Sequence, residues 1–173
     1  MSSSLVSRGL GAPNVRTQAD RSAMRESAGA RLALIAESFA RLAGKPLVDL
    51  TPGGFEEAMW HAPRAIVAYG IEPEPRFFYG NRVALEVLAM TSGELIGTIA
   101  NRLGEPVLRE EQSRMIAGLA RHDIVDMYAV VGLAANGRRY AISNAQLWNL
   151  VDRHGGHHGR AATFADWQFL DRS

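Results

Sequence analysis

Residues 126–148 read DMYAVVGLAANGRRYAISNAQLW, and they carry the clearest fold signal in the sequence. Asn136-Gly137 stands between two runs rich in β-branched and aromatic residues, which is the strongest short-range signal for a β-hairpin. A two-residue turn fixes the register, because it pairs Leu133 with Tyr140 and Val131 with Ile142. The face predicted to be inward then carries Met127, Val131, Leu133, Tyr140, Ile142, Asn144 and Gln146.

The composition bounds the class of protein. The chain has 173 residues, 47% of them hydrophobic and 21% charged, which is typical of one globular domain with an extension. A net charge of +1 argues against a nucleic-acid partner. The sequence has no cysteine, which excludes disulfides and cysteine nucleophiles. No apolar run is long enough for a membrane helix and the start has no apolar signal segment, so we expect a cytoplasmic protein.

The first third of the chain predicts a separate helical element. Residues 1–16 are rich in Ser and Gly and predict a disordered leader, and residues 17–46 predict one long amphipathic helix. Its apolar stripe can bury against the protein's own domain or against a second copy of the chain. Leu32, Ile35 and Phe39 are therefore the candidates for a homodimer or partner contact. The compact domain is expected over residues 55–170.

The rest of the chain alternates strands and short helices. A short helix at residues 55–61 precedes strands near residues 64–71 and 76–79. Asn81 is placed to cap a helix over residues 82–89, and Thr91 with Glu94 forms a capping box for the next helix. Pro106 predicts the start of a longer helix, over residues 107–121. The hairpin and a last strand from Arg160 to about Phe169 follow.

This order of elements is that of a PAS domain. We predict an α+β fold with a PAS-like five-stranded antiparallel sheet and short helices on one face, preceded by the long N-terminal helix. Such a fold leaves a small pocket between sheet and helices.

Several blocks also resemble one family. They are Trp60-His61-Ala62-Pro63, Ile66–Gly70, Phe78–Leu85, Asn101–Pro106, Gly137–Tyr140, Leu147–Asp152 and Gly159–Phe164 before Trp167. In this order they are similar to the MEKHLA domain family, in its bacterial stand-alone type, over about residues 55–170. MEKHLA domains are PAS-related and also occur at the C-terminus of plant homeodomain–leucine zipper regulators. The resemblance implies a sensory or interaction module, with no known reaction. The bacterial pattern has serine where this chain has Asn101.

Residues 96–103 also resemble the flavin-binding segment of LOV photosensors. The photochemical cysteine of those proteins would fall near Asn101, and the chain has no cysteine. A cysteine-adduct photocycle is therefore excluded, whereas non-covalent flavin binding is left open. The sequence names no cofactor.

Candidate ligand-binding residues follow from the predicted faces. Asn81, Arg102, Asn144 and Trp148 are the candidates for the pocket, although Asn81 is also explained as a helix cap and Trp148 as a core aromatic. His154, His157 and His158 lie close together, and a solvated loop explains them better than a metal site does. We predict no catalytic residue and no metal ligand.

Two functions of different class remain. The first is a non-catalytic PAS-like sensory or protein-interaction module whose partner is a small molecule or a signalling protein. The second is a small enzyme on a fold of the nuclear-transport-factor-2 type, which would need an acid–base pair facing inward. The inward positions predicted here carry Asn144 and Gln146, which do not titrate, so the first function is favoured.

Overall fold

The computed structural model describes residues 15–100, 105–106, 109–127 and 130–170. Its helices are α1 (Val15–Ala28), α2 (Arg31–Ala43), α3 (Gly54–Trp60), α4 (Arg82–Leu88), α5 (Ser92–Leu95) and α6 (Arg109–His122). Its strands are β1 (Ala65–Tyr69), β2 (Phe77–Gly80), β3 (Glu105–Pro106), β4 (Ile124–Met127), β5 (Val130–Leu133), β6 (Arg139–Ser143), β7 (Ala145–Val151), β8 (His157–Phe164) and β9 (Asp166–Phe169).

The strands form one bent antiparallel structure. A five-stranded sheet has the order β2-β1-β8-β7-β4, and a four-stranded sheet has the order β3-β5-β6-β9. One residue separates β6 from β7, and one residue separates β8 from β9, so the second sheet continues the first beyond a bend. At this bend Asn144 has a φ of 57°. The five-stranded antiparallel sheet and the α+β class predicted from the sequence are confirmed.

The hairpin turn differs from the predicted one. The Gly137 N–H donates to the Ala134 carbonyl at 3.0 Å, and the Ala134 N–H donates to the Arg138 carbonyl at 2.8 Å. In this loop only Gly137 has a positive φ, of 88°. The turn is therefore a type I turn followed by a glycine bulge, with three loop residues instead of two. Leu133 consequently pairs with Arg139, and Val131 pairs with Ala141.

This one-residue change of register reverses the faces of β5, because side chains alternate along a strand. Leu133, predicted inward, is 55% exposed. Val130 and Ala134 are buried instead, while Tyr140 and Ile142 are buried as predicted. Asn144, also predicted inward, is exposed, because the bend at this residue interrupts the alternation of side chains between the two faces of the sheet.

The N-terminal segment forms two helices that pack in cis. Gly29, with a φ of 54°, ends α1 and separates it from α2, where one continuous helix was predicted. Leu32, Ile35 and Phe39 are buried within the protein's own core. The Phe39 ring meets the Trp148 ring edge-on, with centroids 4.8 Å apart. In this packing the three side chains are not available to a second copy, which corrects their assignment as a dimer contact.

Further contacts fix α1 and α2 on the domain. The Arg21 guanidinium forms an ion pair with Glu56 of α3 at 2.7 Å. The Ser27 hydroxyl donates to the Phe78 carbonyl at 2.6 Å, and Arg31 lies over the Phe78 ring. The helical segment is thus part of the same packed unit as the sheet.

The predicted helix ends have mixed outcomes. The Asn81 cap of α4 and the capping box of Thr91 and Glu94 before α5 are both present. Pro106 lies in β3 instead of opening a helix, and α6 begins at Arg109. The predicted leader lies outside the described residues, except that its last two residues begin α1.

Helices cover both faces of the five-stranded sheet. We call the face under α2 the outer face, since Trp148 of β7 meets Phe39 there. On the opposite, inner face, a Cβ added at Gly80 would meet Leu95 and Ala84, and a Cβ at Gly118 of α6 would meet Val125. Helices α4, α5 and α6 therefore lie on the inner face, as the helices of the predicted fold should.

Candidate functional site

The two faces of the central strands differ in burial. Strands β1 and β8 have a neighbouring strand on each side, so only their two faces can reach solvent. On the outer face Ile66, Ala68, Ala161 and Thr163 are fully buried. On the inner face Val67, Tyr69, Arg160 and Ala162 are each only partly buried. The inner face is therefore open near the end of β1 that carries Tyr69, whereas Ala65 and Phe164 close its other end.

A line of polar side chains crosses this open end. Arg160 of β8 pairs with Tyr69 of β1 on one side and with Asn149 of β7 on the other. Residues that pair across antiparallel strands point to the same face. The Asn149 amide also reaches Asp123, which precedes β4. We call Tyr69, Arg160, Asn149 and Asp123 the polar row.

Asn149 holds the row in place. Its Nδ2 donates to the Leu119 carbonyl at 3.1 Å and to Asp123 Oδ1 at 2.9 Å. Its Oδ1 accepts from Arg160 Nε at 3.0 Å. Both donors of the amide are used, and the residue is buried. Asn149 thus fastens the end of α6 to the sheet and orients the Arg160 guanidinium.

Arg160 is the cation of the inner face. Nε is held by Asn149, and the guanidinium, whose other two nitrogens are the terminal ones, also hydrogen-bonds the Tyr69 hydroxyl. Across the described ranges of the chain, no carboxylate lies within 4.0 Å of these nitrogens. The chain therefore presents a partly buried, oriented positive charge at the open end of the inner face.

Tyr69 lies between Arg160 and an aromatic neighbour. Burial raises the pKa of its hydroxyl, and the adjacent Arg160 opposes this increase in the pKa only in part. The Phe77 ring packs edge-on against Tyr69 with centroids 5.9 Å apart. The phenol is therefore neutral at physiological pH and acts as a hydrogen-bonding group.

This arrangement suits binding better than acid–base catalysis. Asp123 is held by the Asn149 amide, and the structure shows no hydrogen bond between Asp123 and His157 among the residues it describes. An oriented guanidinium and a phenol beside the apolar Val67, Ala162 and Leu147 can hold a polar head and an apolar body. We see no nucleophile–base pair within this described inner face.

The residues predicted for the pocket lie elsewhere. Asn81 is fully buried at the start of α4, and Trp148 faces α2 on the outer face. Asn144 is exposed at the bend, and Arg102 lies outside the described residues.

Asn81 has no hydrogen-bonding capacity left for a ligand. Its Oδ1 accepts from the N–H groups of Ile66 and Ala84, at 3.0 and 3.1 Å. Its Nδ2 donates to the carbonyls of Met59 and Arg64, at 2.9 and 2.8 Å. These four bonds use both acceptor and both donor positions of the amide.

Sequence reasoning missed Tyr69, Asn149 and Arg160. Asn149 is the neighbour of Trp148 and faces the opposite side of the sheet. Because the bend at Asn144 was not predicted, Trp148 instead of Asn149 was assigned to the face that carries α4, α5 and α6. A signal for Arg160 was present, since it is the one charged residue in the run Gly159–Phe164 of small and apolar residues.

His154 lies in the hairpin loop between β7 and β8, and His157 and His158 are the first two residues of β8. His158 Nε2 lies 2.8 Å from Asp152 Oδ2, and Asp152 Oδ1 accepts from the N–H groups of His154 and Gly156. Within the described ranges, no group of three or more His, Asp or Glu side chains is arranged to hold a metal ion. No helix in the described part is both long and apolar enough to cross a membrane.

The sheet order and the helices on its inner face define a PAS-type domain. The chain belongs to the MEKHLA domain family, whose model matches residues 30–169. This match begins before α2, whereas the resemblance in the sequence began near residue 55.

The curated relatives that match are plant homeobox-leucine zipper proteins. The chain is 25% identical over 115 residues to homeobox-leucine zipper protein HOX29 of Oryza sativa, subspecies indica and japonica. The match spans 66% of this chain and 13% of the length of those relatives.

The similar solved structures are PAS and LOV domains. A light-oxygen-voltage domain studied with a flavin analogue aligns with a TM-score of 0.53 at 14% identity, over 67% of this chain and 84% of that one. The PAS domain of a Colwellia psychrerythraea protein gives 0.51 at 14% identity, over 66% and 92%. The photo-excited blue-light photoreceptor Vivid gives 0.52 at 15% identity, over 82% and 95%. At these identities the likeness concerns the fold.

Proposed function

We propose that this domain is a non-catalytic sensory module that binds a small molecule on the inner face of β1 and β8. The observation that carries the proposal is the contrast in burial across these strands: the outer-face side chains are fully buried, and the inner-face side chains are not. When the side chains of a central strand are fully buried on one face but not on the other, the second face has room for a ligand between sheet and helices.

The arrangement of the helices supports a site at this place. Helix α4 packs on β1 and β2, and helix α6 packs on β4 and β7, so the inner face of β8 lies between them. Val67 and Ala162 lie side by side on this part of the sheet. A ligand lying there would contact both helices as well as the two central strands.

A route for the signal follows from the same geometry. Asn149 and Trp148 are neighbours on β7 and face opposite sides, and Trp148 packs against Phe39 of α2. A ligand that moves β7 therefore moves the surface on which α2 lies. We propose that a signalling protein reads this change at the helical face, since a ligand shifts an equilibrium only through contacts that differ between the two states.

The experiment is a thermal-shift screen of a metabolite library with a matched pair of variants. In Ala162→Phe a ring fills the inner face, and in Ala120→Phe the same ring is added at an exposed position of α6. We expect at least one compound to raise the melting temperature of the wild type and of Ala120→Phe but not of Ala162→Phe. If every stabilising compound acts equally on all three proteins, or none stabilises the wild type, the proposal is overturned.

A further inference from the structure

We propose that the inner face selects a small monocarboxylate, whose carboxylate pairs with Arg160 while its apolar body lies over Val67 and Ala162. This inference rests on the proposed function and names the chemical class of its ligand.

The state of the Arg160 guanidinium favours a carboxylate ligand. It is oriented by the Asn149 bond at 3.0 Å, and the described residues offer it no carboxylate partner. A guanidinium presents parallel N–H groups that match the two oxygens of a carboxylate, and such charge-assisted pairs are stronger than neutral hydrogen bonds. Because the guanidinium is already oriented, ligand binding does not carry the entropy cost of ordering this side chain.

The charges around the site limit the charge of the ligand. Asp123 and Tyr69 are the two ends of the polar row, and Arg160 and Asn149 lie between them. A dianion such as a phosphate monoester would meet one guanidinium and one neutral phenol, with this carboxylate nearby. A single negative charge is balanced by Arg160 alone, so the row favours a monoanion.

The surface next to the polar row is apolar. At the next inner-face position along the strands, Val67 of β1 pairs with Ala162 of β8, and Ala162 pairs with Leu147 of β7. Phe77 and Tyr69 form an aromatic wall at the side of β2. A ligand with its charge at Arg160 therefore has an apolar body, since this surface offers it nothing else to bond.

The test compares octanoate with octanamide, and benzoate with benzamide, by isothermal titration calorimetry on the full chain. Each amide keeps the shape of its acid and loses the charge. We expect the acid to bind about tenfold to a hundredfold more tightly than its amide, as a charge-assisted hydrogen bond implies. Arg160→Gln should abolish this preference, and Arg160→Lys, which keeps the charge and loses the paired donors, should retain part of it.

The control is Arg153→Gln, which removes one positive charge from an exposed loop position and should leave the preference unchanged. Circular dichroism and the melting temperature establish that each variant is folded. Equal affinities for acid and amide, or a preference that survives in Arg160→Gln, overturn the inference.

Failure of this inference and failure of the proposed function give different results. If the library screen finds a ligand that Ala162→Phe excludes, and that ligand is uncharged and indifferent to Arg160→Gln, the sensory function stands and the carboxylate class is wrong. If no compound distinguishes Ala162→Phe from Ala120→Phe, both are wrong.

Discussion

At the scale of single residues, buried amides organise the domain. Asn81 joins the end of α3, the start of β1 and the start of α4, and Asn149 joins α6 to β7 and β8. Each amide bonds groups that are far apart in the sequence. Unsatisfied buried groups are costly, so such residues contribute more than an exposed helix cap does.

The Asn81→Ala variant tests this role. It leaves two backbone N–H groups and two carbonyls without the partner they have now, so we expect a loss of at least about 3 kcal/mol in the free energy of unfolding. Chemical denaturation measures this loss. Asn136→Ala, in the exposed hairpin loop, should cost no more than about 1 kcal/mol. Equal costs for the two variants would show that the Asn81 network adds little.

The loop carboxylate predicts a pH dependence. The His158 hydrogen bond, followed by the N–H groups of Gly156 and His154, lowers the pKa of Asp152 to about 2. Because this folded-state pKa lies below the unfolded one, the stabilisation is present above about pH 4 and is lost as the pH falls towards 2. The difference in unfolding free energy between wild type and Asp152→Asn should therefore narrow over this interval. A difference that stays constant in urea titrations from pH 5 to 2 would contradict the assignment.

At the scale of elements, the sequence predicted the order and type of nearly every helix and strand. Patterns of period 2 and 3.6 and local caps carry this information, as at Asn81 and Thr91. These patterns do not determine the register at Gly137 or the bend at Asn144. Both depend on the backbone conformation of one residue, which Asn-Gly and Ser-Asn leave undecided. Asn144 and Trp148 were assigned to the face of α4, α5 and α6 for that reason, since each of these errors moves side chains to the opposite face.

The register of the hairpin can be measured with one pair of substitutions. Leu133→Lys adds a charge to a side chain that is 55% exposed, and we expect a change within about 0.5 kcal/mol. Val130→Lys places the charge at a position that is 7% exposed, and we expect a loss of several kcal/mol or failure to fold. Thermal or chemical unfolding compares the two. The register predicted from the sequence requires the larger loss of stability for Leu133→Lys, because it places Leu133 inside.

At the scale of the whole molecule, the helices of the first third of the chain are part of the domain. The sequence left open whether their apolar stripe packs in cis or in trans, because periodicity shows only that a face must be buried. The structure has the stripe in cis, with α2 on β7 and with the Arg21–Glu56 pair holding α1 to α3. The family match from residue 30 onward agrees with α2 as an integral element.

The cis packing predicts a stability effect for Phe39→Ala. This side chain is fully buried against Trp148, so its removal should cost about 3–5 kcal/mol. Denaturation at two protein concentrations measures the loss, and sedimentation measures the mass. We expect reduced stability that is independent of protein concentration and an unchanged mass. A folded protein of undiminished stability that loses a dimer would instead place Phe39 at an interface between copies.

Methyl NMR shows whether a ligand lies on the inner face of β1 and β8. The protein is labelled at its Val, Leu and Ile methyl groups and saturated with a compound that the thermal-shift screen identifies. We predict intermolecular NOEs from the compound to the methyl groups of Val67 and Leu147, on the inner face, and none to Ile66 and Leu150. NOEs to Ile66 or Leu150, or to exposed methyl groups alone, would contradict the account.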